Sequence, residues 1–351
     1  MSRLDRRQFV VLLGALGNPA CHARPRREAA LRALVEELAL SDVNLLASRS
    51  ADLRRSAERL SSLPSSAELG ALRAAWRRAA HAWKRASAFR WGPLLESGAL
   101  ARANYWPARL AAVDALLDGP REVTRELVDE LGADVKGVYA LEYLLFEPEG
   151  PSRLLPELDV RGAHRARDLV RIYAEDVDAQ ALRARRAFVA TSRSFADSLV
   201  QRPTEALARI ATMLVENVEA LLIARFRTAL WLAALSRLEA SAIEGEASGI
   251  SHELVLTLLS STHRLYRGAV FPGVADLVRS SAPRVHEHVE ALFARCIAIV
   301  RALPAIGEAA RRRRPNLEAA NSALKALETA LRSELPNALG VSLAFTGLDA
   351  D

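Results

Sequence analysis

Between Glu28 and Leu60 leucines or valines stand, among others, at positions 31, 34, 35, 38, 43, 45, 46, 53 and 60. That is the spacing of one helix face, held for about nine turns. A helix this long cannot bury its stripe alone, so the chain must supply other helices to pack against it. Its composition can do so. Half the 351 residues are hydrophobic and only 5% are aromatic. Leu, Ala, Arg and Glu dominate, which favours helix nearly throughout. Alternation of the kind a strand needs is confined to Val341 to Phe345.

The same rhythm runs on. Pro64 stops the first helix, and Ser65-Ser66-Ala67-Glu68 reads as a capping box opening a second. The second carries Leu69, Leu72, Trp76, Trp83 and Phe89 and ends at Trp91-Gly92-Pro93. Beyond Trp106-Pro107, shorter helices are expected over 108–117, 121–131 and 135–146. A loop follows around Pro148, Gly150, Pro151 and Pro156. A long helix over 160–199 then leads to Arg202-Pro203-Thr204, with Thr204 as N-cap of a further long helix over 205–240. A Gly- and Ser-rich break over 245–251 precedes helices near 252–266, 274–302 and 315–335. The expected fold is all-α, two tandem antiparallel bundles of four-helix type. The division expected is 1–23, 24–201 and 202–351.

Residues 1–23 read as an export signal and not as fold. Arg6-Arg7 precede an apolar run from Phe9 to Leu16, and small residues follow at Ala20 and Ala23. Asp5-Arg6-Arg7-Gln8-Phe9-Val10 has the look of a twin-arginine signal. Cleavage after Ala23 would give a soluble periplasmic protein; the alternative is a lipoprotein anchored through Cys21. Removing 1–23 deletes three Arg and one Asp and takes the net charge from +6 to +4. That charge is spread among acidic residues, and the densest basic run is Arg311 to Arg314, so no nucleic-acid partner is expected. The other cysteine is Cys296, so no disulfide framework is available. Past the signal, no apolar run reaches the roughly 18 residues of a membrane span; the run from Ala220 to Leu235 is broken by Arg225 and Arg227.

The most chemically loaded segment is Gly137-Val138-Tyr139-Ala140-Leu141-Glu142-Tyr143-Leu144-Leu145-Phe146. Tyr139 and Glu142 are i, i+3 neighbours on one helix face. A phenol and a carboxylate in an apolar helix must find partners, since burying them unpaired is costly. Both offer oxygen, the donor type that trivalent iron accepts. The competing expectation is a packed Tyr139 ring hydrogen-bonded to Glu142, the remnant of a metal site.

This segment resembles the G-x-H-x-x-E signature of the imelysin family, with Tyr139 in the histidine place. Three other regions carry the likeness. Trp76 to Pro93, with Trp106-Pro107, is similar to the family's tryptophan helix and its Gly-Pro turn. Glu244, Ser248, Gly249 and Ser251 match its Glu-Ser-x-x-Ser-Gly-x-Ser break, with Gly245 replacing the first serine. Phe345 with Asp349-Ala350-Asp351 is similar to its closing Phe…Asp-Gly-Asp. The resemblance implies two helical bundles with the signature helix facing their junction. It also implies a place among cell-envelope proteins first described as peptidases, including insulin-cleaving membrane proteases, and relatives in iron uptake whose histidine and glutamate bind metal.

A zinc peptidase needs three ligands rich in nitrogen or sulfur and an open position. The chain has no H-E-x-x-H, and Tyr139 removes the nitrogen of the signature helix. Ser248 and Ser251 have only His252 nearby in sequence and suit turns and caps better than nucleophilic catalysis. His286, Glu287, His288 and Glu290 suggest a ligand cluster but fit a solvated helix face; His81 reads as a satisfied, partly buried histidine and Cys296 as inert core. The expectation is therefore an exported, non-catalytic imelysin-like binding protein linked to iron or other metal acquisition. Its ligand site would comprise Gly137, Tyr139, Glu142, Glu244, Ser248 and Ser251, with Glu142 and Tyr139 as metal ligands. Partners would be a metal ion or small ligand and envelope iron-uptake proteins. The alternatives are a cell-envelope metallopeptidase and an adaptor for a peptide or organic ligand.

Overall fold

The structure, a computed structural model, describes residues 19–61, 64–146, 154, 160–235, 242–268 and 273–343, and among these every regular element is helical. The first rod runs through Pro19–Ala33 and Leu40–Glu58, joined by a π-helical stretch at Leu34–Ala39. Its buried stripe includes Leu31, Leu34, Val35, Leu38, Val43, Leu46 and Leu53, the face that the spacing predicts. The second helix is Ser66–Ala86 and opens on the expected capping box: Glu68 N–H donates to Ser65 Oγ at 3.2 Å, and Ser65 N–H to Glu68 Oε2 at 2.7 Å.

Two sets of four helices each close on themselves. In the first, Leu40–Glu58, Ser66–Ala86, Val138–Phe146 and Val160–Gln201 pack in a ring. In the second, Pro203–Leu221, Ser251–Arg267, Pro283–Arg301 and Arg314–Ser333 do the same. Helix Ser251–Arg267 also lies against Ser66–Ala86 and joins the two sets. A single connected core of buried apolar side chains runs through both, from Leu31 to Leu339.

Several boundaries differ from those expected. The tryptophan helix ends at Ala86, so Phe89 lies beyond it; short helices Gly92–Glu96 and Ala99–Ala103 occupy the stretch before the cis Trp106-Pro107 bond. The helix after Arg202 starts at Pro203, and Thr204 is no N-cap, because proline at the first helical position has no N–H to be capped. The helix expected over 274–302 is cut by Pro283 into Val274–Ser281 and Pro283–Arg301. The last long one, expected over 315–335, runs over Arg314–Ser333, and a short helix that was not expected, Ile306–Arg312, precedes it. Helix Pro203–Leu221 continues through a second π-helical stretch, Leu222–Arg227, into Thr228–Ala234. Val341 to Leu343 form no strand. The twin-arginine motif, most of the Pro148 to Pro156 loop and the closing Phe345 to Asp351 lie outside the described residues. Among the described residues no helix is long and apolar enough to cross a membrane.

Candidate functional site

Helix Val138–Phe146 is buried along almost its entire length, and its placement begins at Gly137. Gly137 has φ of +89°, and a Cβ on it would lie 2.5 Å from the carbonyl oxygen of Ala103. Only glycine lets the two backbones approach this closely. Trp76 fixes the helix from the side: its indole N–H donates to the Val138 carbonyl at 2.8 Å, and its ring packs 5.0 Å from that of Phe146. Arg73 donates to the Leu145 carbonyl at 2.7 Å, and both Arg73 and Arg77 lie over the Phe146 ring.

Opposite stands the turn over 242–250. Gly245 has φ of +75°, and the Ile250 N–H returns to its carbonyl at 2.9 Å. The turn sends its two flanking carboxylates different ways. Glu246 accepts from Ser251 Oγ at 2.7 Å and from the Gly307 N–H at 2.9 Å, so it ties the turn to helix Ile306–Arg312. Glu244 points toward the signature helix.

Glu244 is the hub. Lys84 and the Tyr139 hydroxyl both donate to its Oε1, and Arg225 donates to Oε2 through Nε at 2.7 Å. Arg225 sits in the π-helical stretch Leu222–Arg227 and stacks its guanidinium 4.5 Å from the centre of the Trp106 ring. Burial raises the Glu244 pKa, but the charges of Arg225 and then Lys84, with the hydrogen bonds, outweigh it and hold the carboxyl at about 2. Burial pulls Lys84 down to about 8 against the pull of Glu244. Burial, reinforced by the Glu244 charge, pushes Tyr139 well above its usual range.

Glu142 has a different environment. Its Oε1 accepts from the Ser248 N–H at 3.0 Å and from Ser248 Oγ at 2.7 Å. Burial is the strongest influence and lifts its pKa to about 7, with the Ser248 hydrogen bonds opposing the rise. Arg77 closes the arrangement by donating to the Ser248 carbonyl at 2.8 Å. The two carboxylates thus behave differently near neutral pH: Glu244 is ionised, whereas Glu142, raised to about 7, exchanges a proton in that range.

Of the residues expected to form the site, Tyr139, Glu142, Glu244 and Ser248 come together, in two hydrogen-bonded pairs. The phenol of Tyr139 donates to Glu244 and not to Glu142, a pairing that i, i+3 spacing alone does not reveal. Gly137 serves backbone approach to Ala103. Ser251 faces Glu246 and accepts from the Ile306 N–H at 2.7 Å. Lys84 and Arg225 went unread as site residues. The available signals were a lysine in a chain with only three, set after Trp83 on an Ala-rich face, and an arginine interrupting an apolar run.

The other candidates disperse. Glu290 pairs with His263 at 3.1 Å, His288 with Glu334 at 3.1 Å, and His286 meets the Tyr266 hydroxyl at 3.1 Å. His81 is satisfied between Thr257 and Glu253. Cys296 is buried, its thiol pushed to about 12 by burial. Among the described residues no histidine hydrogen-bonds Ser248 or Ser251.

The model of the imelysin family matches residues 39–337, most of the chain. The chain belongs to the imelysin family. The imelysin fold extends to solved structures. One is an imelysin-like protein from Psychrobacter arcticum: 18% identity, 92% of this chain and 98% of that one covered, TM-score 0.76. Another, from Parabacteroides distasonis, bears the name of an iron-regulated protein A precursor: 14% identity, 90% and 95% covered, TM-score 0.72. No curated protein matches. Set against the metal that the family implies, the donor group of this imelysin does not fit. Lys84 and Arg225 already neutralise Glu244, a phenolate at Tyr139 is disfavoured by burial, and an added cation would face two fixed ones. Among the described residues, no three His, Cys, Asp or Glu side chains gather as a metal site.

Proposed function

We propose that this chain is an exported, non-catalytic binding protein of the imelysin family, serving iron or other metal acquisition at the cell envelope. Its ligand is held from the Glu142–Ser248 side of the buried polar group, without a metal ion chelated by Tyr139. The observation that carries this reading is the closure of Glu244 by Lys84, Arg225 and Tyr139. The cationic partners take up the charge that a metal ion would otherwise balance. Glu142 is the one carboxylate of the pair able to exchange a proton near neutral pH, so an organic or peptide ligand with a hydrogen-bond donor is the chemistry it suits. The link to iron draws on the family and on the name of the Parabacteroides relative.

Calorimetric titration of ferric and zinc ions into the parent protein and Glu142→Ala tests the site. No stoichiometric binding dependent on Glu142 is expected. Tight binding of one ion per chain that Glu142→Ala and Tyr139→Phe both abolish would restore chelation and overturn this reading. Protein levels measured under iron limitation and repletion test the physiological link; a rise under limitation is expected, and unchanged levels count against it.

A further inference from the structure

Beside helix Val160–Gln201 lies a cavity of about 540 Å³ whose lining includes none of Gly137, Tyr139, Glu142, Glu244 or Ser248. Its size is that of an ordinary small-molecule site. Five cationic side chains line it: Arg102, Arg125, Lys136, Arg183 and Arg186. Asp129 and Asp176 are the acidic residues of the lining, so positive charge is in excess. The long helix supplies Asp176, Gln180 and Arg183 at i, i+4 and i+7, one face directed at the cavity. Arg102 comes from helix Ala99–Ala103, Arg125 from helix Arg125–Asp129, and Lys136 from just before Gly137.

The cations divide by what already holds them. Lys136 is buried and donates to the Val128 carbonyl at 2.9 Å, and Arg125 donates to Asp129 at 3.1 Å. Arg102 and Arg183 are exposed, and their guanidinium groups hydrogen-bond no protein group among the described residues. Asp176 and Gln180 are 1% and 8% exposed. The Gln180 amide donates to Asp176 Oδ1 at 3.2 Å, which leaves Asp176 Oδ2 and Gln180 Oε1 buried with no partner. Buried acceptors are rarely left this way. The cavity therefore offers unsatisfied cations together with two unsatisfied acceptors that call for a donor.

We infer that this cavity binds a small organic polycarboxylate that also carries a hydroxyl group. Its carboxylates meet Arg102, Arg183 and Arg186, where guanidinium geometry suits them. Its hydroxyl donates to Asp176 Oδ2 or Gln180 Oε1. A bare anion satisfies the arginines and leaves the two acceptors unpaired; a neutral polyol does the reverse. The site is separate from the Glu142–Glu244 group, and the inference stands independently of the function proposed above.

The test is calorimetric titration of the full chain with citrate, with tricarballylate, which is citrate without its hydroxyl, and with inorganic phosphate. Citrate is expected to bind at least about tenfold tighter than tricarballylate, since a site that hydrogen-bonds a hydroxyl rejects the analogue lacking it, and phosphate more weakly than either. Arg183→Gln, at an exposed helix position, is expected to weaken both carboxylates about tenfold or more. Asp176→Asn is expected to reduce the preference for citrate over tricarballylate. If Asp176→Asn fails to fold, Arg102→Gln in its place should weaken both carboxylates as Arg183→Gln does. Failure of citrate to bind at millimolar concentration would overturn the inference. So would equal affinity for citrate and tricarballylate, tighter binding of phosphate, or affinities unchanged by Arg183→Gln.

Discussion

Lys84 and Glu244, separated by 160 positions in the sequence, form an ion pair with both side chains buried. Neither charge would be tolerated there alone, and Arg225 completes the set from a third element. Glu244→Gln would leave the buried Lys84 and the partly buried Arg225 without their anion. A loss of about 3–5 kcal/mol is expected, the usual cost of breaking a buried ion pair from one side. Lys84→Met leaves Glu244 still paired with Arg225 and should cost less. Urea denaturation of both variants checks the order; a Lys84→Met more damaging than Glu244→Gln would refute the view of Glu244 as the hub.

Glu142 makes stability depend on pH with a definite sign. Its folded pKa of about 7 lies above the ordinary 4.5, so the folded state binds the proton more tightly than the unfolded chain. Its contribution is complete below about pH 4.5 and is lost as pH rises through about 7. The size is about 3 kcal/mol, at 1.36 kcal/mol per pKa unit. Glu244, held at about 2, acts in another window: its contribution is present above 4.5 and lost as pH falls toward 2. Lys84, lowered to about 8, favours the folded state only as pH rises from about 8 toward 10.5. Glu142→Gln keeps an acceptor for Ser248 and removes the titration. The decline of unfolding free energy between pH 5 and 8 should flatten in this variant; parallel curves for parent and variant would show that Glu142 does not titrate in this range.

Ser248→Ala removes the hydroxyl donor and leaves the backbone N–H on Glu142. Since that hydrogen bond favours the ionised form, the Glu142 pKa should move upward from about 7. Stability at pH 8 should fall by about 1–3 kcal/mol, the range for a hydrogen bond to a charged group. Carbon-13 NMR titration of the Glu142 carboxyl reads the shift directly, and a downward movement would contradict the assignment.

Two glycines separate strain from collision. Gly137→Ala places a methyl against the Ala103 carbonyl oxygen, a backbone atom that cannot turn aside, at a φ of +89°. Gly245→Ala carries similar strain, at a φ of +75°, and meets first the end of the Leu254 side chain, which can rotate. The conformational cost of a non-glycine residue there is about 1–2 kcal/mol. Gly245→Ala should lose about that much and Gly137→Ala more. Thermal unfolding of the pair decides it, and equal losses would mean that the approach of Ala103 is not tight.

The helices could be read from the sequence because their cause is local. The leucine spacing from Glu28 to Leu60 and the Ser65–Glu68 capping box act within a few turns, so they appear both in the chain and in the structure. Pro283 shows where such reading stopped short: a break in periodicity is weak over two turns, yet the missing N–H divides the helix. At the site, Tyr139, Glu142, Glu244 and Ser248 stood out as polar groups in apolar or turn contexts. Their pairing did not, because each partner comes from a distant part of the chain.

What the sequence determined by itself is the all-helical fold, the buried face of each long helix and the family, all of which follow from spacing and short motifs. The tertiary structure alone decided which charge meets which. Only the packing of helix Ser66–Ala86, the stretch Leu222–Arg227 and the turn over 242–250 brings Lys84 and Arg225 onto Glu244. That packing leaves Glu142 to Ser248, with no cation hydrogen-bonded to it among the described residues, and so gives two carboxylates on neighbouring elements different protonation behaviour. The reason is physical: a buried charge depends on neighbours within a few ångströms, and these are set by the fold and not by proximity along the chain.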